Sequence, residues 1–322
     1  MAPTTSAHSP LSSARRVAAL IVFAFFLATP SGALGQALPG NASESLARGE
    51  ALVAEALATY DAQYPDRPLW RQAFAAGRTA LDLAPGHPEV LHFLARAYSL
   101  SNWHGPAIET WQEYAAAGGR LSEEDAELFA ISGNWNAFAA YSRGDLQGAA
   151  SQYALVINYV PENVEAHRWL GRIMLETRRP EQAIPAWRTV LELDPDAEGA
   201  AYFLELAQAQ ARWGIDAAND FYLGINRYEA GNLTQARTSF AAATARNAEY
   251  AAAWAWSGRV AFEQGFYEDA FIAYGRALAL EPNNANYQWF TRESQRLAFP
   301  EPEPVEEEQG VSDGAEVSTG QN

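Results

Sequence analysis

The chain has 322 residues, of which 48% are apolar, so a packed core can extend along its whole length. All 22 basic residues are arginine, and against 39 acidic residues they give a formal net charge of −17, which argues against nucleic acid as a partner because phosphate groups are repelled. Cysteine is absent, which excludes disulfides, thiol catalysis, cysteine-bound metals and a cysteine-linked lipid anchor.

The amino terminus predicts a secretory signal peptide over residues 1–35. Arg15 and Arg16 precede an apolar run at residues 17–28, and small residues follow it, which is the usual order of charge, apolar core and cleavage site. The run is shorter than the ~18 to 20 residues that a membrane-spanning helix needs. We therefore expect an exported protein, either periplasmic or extracellular. The alternative is an uncleaved signal anchor that tethers the chain to a membrane.

After this leader, helical repeats with a period of 34 residues dominate the sequence. Apolar residues recur at spacings of three and four, and glycine or proline closes the turns, so each repeat is predicted to be a pair of helices. The predicted segments are 36–53 (an amino-terminal segment with the start of the first helix), 54–121 (repeats 1 and 2, which are divergent), 122–129 (an insertion), 130–197 (repeats 3 and 4), 198–216 (an extra helix), 217–284 (repeats 5 and 6) and 285–298 (a capping helix). A single helical hairpin cannot bury its apolar face, but stacked hairpins share a continuous core.

Residues 299–322 end the chain with a different composition. Proline alternates with glutamate at the start of this segment, which holds seven acidic residues and no arginine. Such a segment lacks the apolar surface that folding needs, so the sequence predicts a disordered, extended acidic tail.

Small, aromatic and proline residues recur at equivalent positions of the repeats. Gly171, Gly224 and Gly258 share one position, and because glycine within a helix costs about 1 kcal/mol relative to alanine, we expect a packing reason for it. The predicted packing residues are Gly171, Ala183, Trp187, Pro195, Gly224, Ala236, Phe240, Trp254, Gly258, Ala270, Tyr274, Ala277 and Pro282.

With these residues the chain resembles the tetratricopeptide-repeat family over residues 54–284, most closely in the last repeat. The resemblance implies an all-α fold, a right-handed superhelical solenoid of helical hairpins. It also implies that a protein or peptide partner binds in the concave groove, which the first helices of the hairpins line.

An aromatic residue lies two positions before the small residue in every first helix after the opening one. This position is off the apolar stripe that faces the second helix, so the first helices are predicted to be apolar on two sides. In the family, that second side faces the groove. The predicted partner-binding residues there are Phe93, Arg96, Asn134, Trp135, Phe138, Arg168, Trp169, Arg172, Phe221, Tyr222, Trp256 and Arg259. The alternative is that the aromatic residues only pack successive hairpins together.

The sequence carries no hydrolase nucleophile motif, nucleotide-binding loop, dinucleotide fingerprint or paired-histidine zinc motif. We therefore expect no catalytic residue, no metal and no cofactor. The predicted function is that of a non-catalytic scaffold or adaptor for a protein or peptide of unknown identity. Two alternatives stay open: a structural envelope component that self-associates and, with less support, an enzyme with an active site in the groove.

Overall fold

The computed structural model describes residues 37–300. All regular secondary structure in this range is helical, which confirms the all-α prediction for the described residues. In the same range no helix is both long and apolar enough to span a membrane. The signal peptide predicted for residues 1–35 lies outside the described residues, and so does nearly all of the tail predicted for residues 299–322.

Short turns join the helices, which we number in chain order. They are α1 (Gly40–Thr59), α2 (Pro68–Leu83), α3 (Pro88–Leu100), α4 (His104–Ala116), α5 (Glu123–Ser142), α6 (Leu146–Tyr159), α7 (Val164–Glu176), α8 (Pro180–Leu193), α9 (Ala200–Trp213), α10 (Ile215–Glu229), α11 (Leu233–Arg246), α12 (Ala251–Glu263), α13 (Tyr267–Leu280) and α14 (Ala285–Ala298). Glycines with positive φ close several of the turns, among them Gly144, Gly231 and Gly265.

The described residues divide into two compact units, at residues 37–215 and 216–300. In the first unit each helix from α1 to α8 packs against the next one in the chain. First helices of neighbouring hairpins also touch, namely α1 with α3, α3 with α5 and α7 with α9. In the second unit α11 to α14 pack in the same sequential way, and α10 contacts α11 through the rings of Phe221 and Phe240. Each unit is therefore a stack of helical hairpins.

The start of α5 lies in the segment 122–129, which was predicted as an insertion between two repeat pairs. The Asp125 N–H donates to Ser122 Oγ at 3.1 Å, and the Ser122 N–H donates back to the Asp125 carboxylate at 3.3 Å. This capping box begins the helix at Glu123, so these residues form the cap and first turns of a 20-residue helix. Residue 54, where repeat 1 was predicted to begin, lies inside α1, which starts at Gly40.

The three glycines at the shared repeat position make room for an aromatic ring from the second helix of the same hairpin. A Cβ on Gly171 would lie 2.7 Å from Trp187 Nε1. The corresponding distances are 2.5 Å from Gly224 to Phe240 Cε1 and 2.7 Å from Gly258 to Tyr274 Cδ2. Real Cβ atoms do not approach so closely, so glycine at this position is required by the close packing of the two helices.

Each of these rings then stacks on an aromatic residue from the next first helix. The stacked pairs are Trp187–Phe203 (centroids 4.8 Å apart), Phe240–Trp256 (5.8 Å), Tyr274–Phe290 (4.8 Å) and, where alanine replaces the glycine, Tyr153–Trp169 (6.0 Å). Stacked aromatic pairs contribute about 0.5–1.5 kcal/mol beyond the burial of their area. The recurrent aromatic residue therefore packs successive hairpins together at these four junctions.

The remaining predicted packing residues lie in the interior of the hairpins or in the turns that follow their second helices. Ala183, Ala236, Ala270 and Ala277 have no exposed surface. The Trp254 indole is partly buried and donates to the backbone carbonyl of Ala248 at 2.9 Å. Two prolines, Pro195 and Pro282, lie exposed in the turns after α8 and α13.

Candidate functional site

Three large apolar side chains form an exposed stripe on α5, which we call the α5 stripe. They are Ile131, Trp135 and Phe138, with 50%, 58% and 43% of their surface exposed. Their spacing of four and three residues places them on one face of the helix. Phe129 and Ala137 are buried, so α5 is apolar both toward the core and toward solvent. A contiguous exposed patch of large apolar side chains is uncommon on a folded domain, so the α5 stripe is a candidate interaction surface.

Trp135 is held in one orientation although most of it is exposed. Its indole stacks on the His104 imidazole at the start of α4, with ring centroids 5.7 Å apart and planes 4° from parallel. His104 Nδ1 lies 3.3 Å from Ser132 Oγ, and burial lowers the pKa of His104, which favours the neutral ring. An aromatic side chain fixed in this way loses little conformational entropy when a partner binds.

Phe138 connects the α5 stripe to α7. Its ring contacts Trp169, with centroids 5.3 Å apart and planes at 63°, and Trp169 in turn stacks on the buried Tyr153. The Trp169 indole N–H donates to Glu165 at 2.6 Å. Trp169 is thus only partly exposed and fixed on several sides, unlike Trp135.

Four side chains from α5 and α7 form what we call the first-unit cluster: Tyr141, Trp169, Arg172 and Glu176. The Tyr141 hydroxyl donates to the Glu176 carboxylate at 2.9 Å, and Arg172 Nε donates to the same carboxylate at 2.8 Å. The Arg172 guanidinium lies 5.2 Å from the centre of the Trp169 ring, a cation–π distance. The cluster therefore ties two successive first helices together at the surface.

The second unit contains the same arrangement, the second-unit cluster, formed by Tyr228, Trp256, Arg259 and Glu263. Each residue lies 87 positions after its counterpart. The Tyr228 hydroxyl donates to Glu263 at 2.7 Å, and Arg259 Nε donates to it at 3.1 Å. The Arg259 guanidinium lies 4.9 Å from the centre of the Trp256 ring. Two units with the same three contacts indicate a shared structural link between hairpins.

Sequence reasoning identified the tryptophan and arginine of each cluster but missed the tyrosine and the glutamate. The missed residues are Tyr141, Glu176, Tyr228 and Glu263. The sequence does contain a signal for them, because all four residues of the first-unit cluster recur 87 positions later in the second-unit cluster. The family signature does not account for this recurrence, because it includes only the glycine next to the cluster. An alignment of repeats 3 and 4 (130–197) with repeats 5 and 6 (217–284) at their exposed positions shows all four residues.

Two residues predicted to bind a partner lie in the core instead. Phe93 and Phe221 are each 8% exposed. A Cβ on Gly49 or Gly77 would come within 2.7 Å of the Phe93 ring, so the close approach of α1 and α2 buries it. Phe221 packs against Tyr250, with ring centroids 4.9 Å apart. Both rings are thus mainly packing residues of their units.

Arg96 is engaged in an ion-pair network at the start of α5. Its Nη1 lies 2.5 Å from Asp125 Oδ1 and its Nη2 lies 2.6 Å from Glu124 Oε1, while His92 Nε2 lies 2.9 Å from Asp125 Oδ2. Only 4% of the Asp125 side chain is exposed. Burial raises the pKa of this carboxyl, but hydrogen bonds from His92, Ser122 and Arg96 outweigh burial and lower the pKa of Asp125 to about 2. The network joins α3 to α5.

The other predicted site residues have separate surroundings. Asn134 Nδ2 donates to Oδ1 of Asn163, the residue that caps α7, at 3.3 Å. Arg168 is exposed beside Trp169, and in the described part of the chain it has no hydrogen bond or ion pair. Tyr222 is partly buried and meets Phe221 edge to face. No group of three or more metal-ligating side chains occurs among residues 37–300.

Comparisons with known proteins agree with the packing pattern. The sequence model described as tetratricopeptide repeat matches residues 137–198 and 222–285. None of the curated proteins matches the sequence.

Three solved structures illustrate what the chain is similar to. The MamA protein is 21% identical, with 52% of this chain and 82% of MamA covered and a TM-score of 0.24. The pilF protein of Pseudomonas aeruginosa is 18% identical, covers 78% of this chain and 99% of its own, and has a TM-score of 0.29. A tetratricopeptide repeat protein from Parabacteroides merdae is 13% identical, covers 77% and 99%, and has a TM-score of 0.33. The two matched segments, residues 137–198 and 222–285, are therefore tetratricopeptide repeats, and the recurrent glycine–aromatic packing of their hairpins agrees with this assignment.

Proposed function

We propose that this chain is an exported, non-catalytic scaffold that binds a protein or peptide partner on the first helices of its first unit. The observation that carries the proposal is the α5 stripe, whose three large apolar side chains are each at least 43% exposed. Proteins of the tetratricopeptide-repeat family generally bind protein or peptide partners. Export is inferred from the signal-peptide pattern of residues 1–35.

The composition of the surface supports a protein partner. Tryptophan and arginine are the residues that most often dominate the binding energy of protein interfaces. Trp135 supplies a pre-oriented aromatic anchor, and Arg168 on the neighbouring α7 supplies a guanidinium that makes no internal ion pair within residues 37–300. Two other charged groups of α7, Arg172 and Glu176, are paired with each other at 2.8 Å. We therefore assign binding to the α5 stripe and structural linkage to the first-unit cluster.

An affinity capture from envelope extracts tests the proposal. The full chain is compared with a Trp135→Ala, Phe138→Ala variant and with a control, Trp289→Ala, which removes a tryptophan of similar exposure (51%) from the second unit. Partners that bind the parent and the control but not the double variant support the proposal. Equal capture by all three proteins contradicts it, and capture of copies of the chain alone favours a self-associating envelope component.

A further inference from the structure

A groove runs between α1 and α3 in the first unit, with a volume of about 520 Å³. Its floor is apolar and is formed by the side chains of Leu46, Val53, Ala54, Leu57, Phe93, Ala97 and Leu100. Leu57 is 44% exposed, so the apolar floor reaches the surface. The volume falls within the roughly 300–1,000 Å³ that is usual for ligand sites.

Acidic side chains stand on both walls of this groove. Glu50 from α1 and Glu89 from α3 line it, and both are exposed without a hydrogen bond or ion pair in the described part of the chain. Glu50 lies four residues after Leu46 and seven before Leu57, so its carboxylate shares a helix face with the apolar floor. Two unpaired carboxylates thus flank an apolar channel.

The basic groups of the groove are already engaged. Arg96 lines it, but its guanidinium is bound by Glu124 and Asp125, and His92 also contacts Asp125. Four carboxylates and one guanidinium therefore lie in or beside the groove, and these five groups carry a formal charge of −3. This sign agrees with the chain as a whole, whose net charge of −17 attracts cations from a distance.

We propose that the groove between α1 and α3 binds a basic amphipathic peptide segment of the protein partner. The apolar side chains of the segment pack on the floor, and its lysine or arginine side chains pair with Glu50 and Glu89. An acidic segment would place its carboxylates beside four others, and a wholly apolar one would desolvate Glu50 and Glu89 without compensation. The inference rests on the proposed function and names the chemical class of the partner.

The test uses two synthetic helical peptides with the same leucine face, one with lysine and one with glutamate on the polar face. Their affinities are measured for the full chain, for a Glu50→Gln, Glu89→Gln variant and for a Glu181→Gln, Glu192→Gln control. The control residues are exposed on α8, so both variants change the net charge by the same amount. We expect the lysine peptide to bind the parent and the control equally and the groove variant about fivefold or more weakly. The proposal would be overturned if both variants bound the lysine peptide equally weakly. It would also be overturned if the parent bound the glutamate peptide as tightly as the lysine peptide.

A further variant separates this inference from the proposed function. Trp135→Ala, Phe138→Ala is expected to keep the affinity of the parent for the lysine peptide, because neither residue lines the groove. If capture of partners depends on the α5 stripe but the lysine peptide does not bind, the inference about the groove fails alone. If the Trp135→Ala, Phe138→Ala variant captures the same partners as the parent and the lysine peptide still binds, the assignment of the α5 stripe is wrong. The groove then remains as the binding site.

Discussion

The Tyr141 hydroxyl donates a hydrogen bond to the Glu176 carboxylate at 2.9 Å, joining the end of α5 to the end of α7. The second unit repeats this contact between Tyr228 and Glu263 at 2.7 Å. Because each tyrosine and its glutamate come from successive first helices, the bond links one hairpin to the next. The guanidinium stacked on the neighbouring tryptophan holds the glutamate in place.

Replacing Tyr141 by phenylalanine removes this bond without changing the ring. We expect Tyr141→Phe to lower the free energy of unfolding by about 0.5–1 kcal/mol, since the contact is partly exposed. Urea unfolding of the single variants and of a combined Tyr141→Phe, Glu176→Gln variant measures the coupling. Strictly additive effects of the two substitutions would show that the residues do not interact.

The recurrent glycine gives a second prediction. Gly171→Ala places a methyl group 2.7 Å from Trp187 Nε1, and we expect it to destabilise the chain by about 1–3 kcal/mol although alanine favours a helix. Gly275→Ala is the matched control, because its Cβ would meet nothing within 4 Å, and it is expected to stabilise by about 0.5–1 kcal/mol. Thermal or urea unfolding distinguishes the two, and equal effects would contradict the packing role of Gly171.

Much of the fold follows from the sequence, because the 34-residue period combines helical spacing with turn residues. The period does not show how far each helix extends. The capping box of Ser122 and Asp125 starts α5 seven residues before the repeat predicted to begin at residue 130, a position that the 34-residue period does not mark.

The candidate site was harder to predict than the fold. The aromatic position predicted to face the groove holds rings that differ widely in solvent exposure. Phe93 is 8% exposed and Trp135 is 58% exposed. Whether such a ring is covered depends on neighbours that are distant in sequence, such as Gly49 and Gly77 for Phe93. Periodicity assigns a residue to a face of its helix, but it does not show what packs against that face.

Trp135 and Trp169 are equivalent in the repeat and yet are expected to respond differently to substitution. Trp169→Ala removes a ring that stacks on the buried Tyr153, and we expect a loss of about 2–4 kcal/mol. Trp135→Ala removes an exposed ring and is expected to cost under about 1 kcal/mol. Urea unfolding checks the difference, and a Trp135→Ala variant as unstable as Trp169→Ala would mean that Trp135 is part of the core.

The buried carboxylate of Asp125 predicts a dependence of stability on pH. Its pKa is about 2 in the folded chain against an ordinary value of 3.8, so the ionised form favours the folded state. This contribution, about 2.5 kcal/mol, is present above pH 3.8 and is lost as the pH falls through 2. Urea unfolding from pH 6 to pH 2 should show a steeper loss for the parent than for Asp125→Asn. If the free energies of unfolding of the two proteins fell in parallel with pH, the ionised Asp125 carboxylate would not stabilise the folded chain.

Site-specific photo-crosslinking in cells that express the chain tests the central claim most directly. A photoreactive residue replaces Ile131 on the α5 stripe or, as a control, Ile272 on α13, two isoleucines with 50% and 59% of their surface exposed. The account predicts a discrete adduct with another protein from position 131 and none from position 272. Adducts of equal yield from both positions, or adducts made only of copies of this chain, would contradict it.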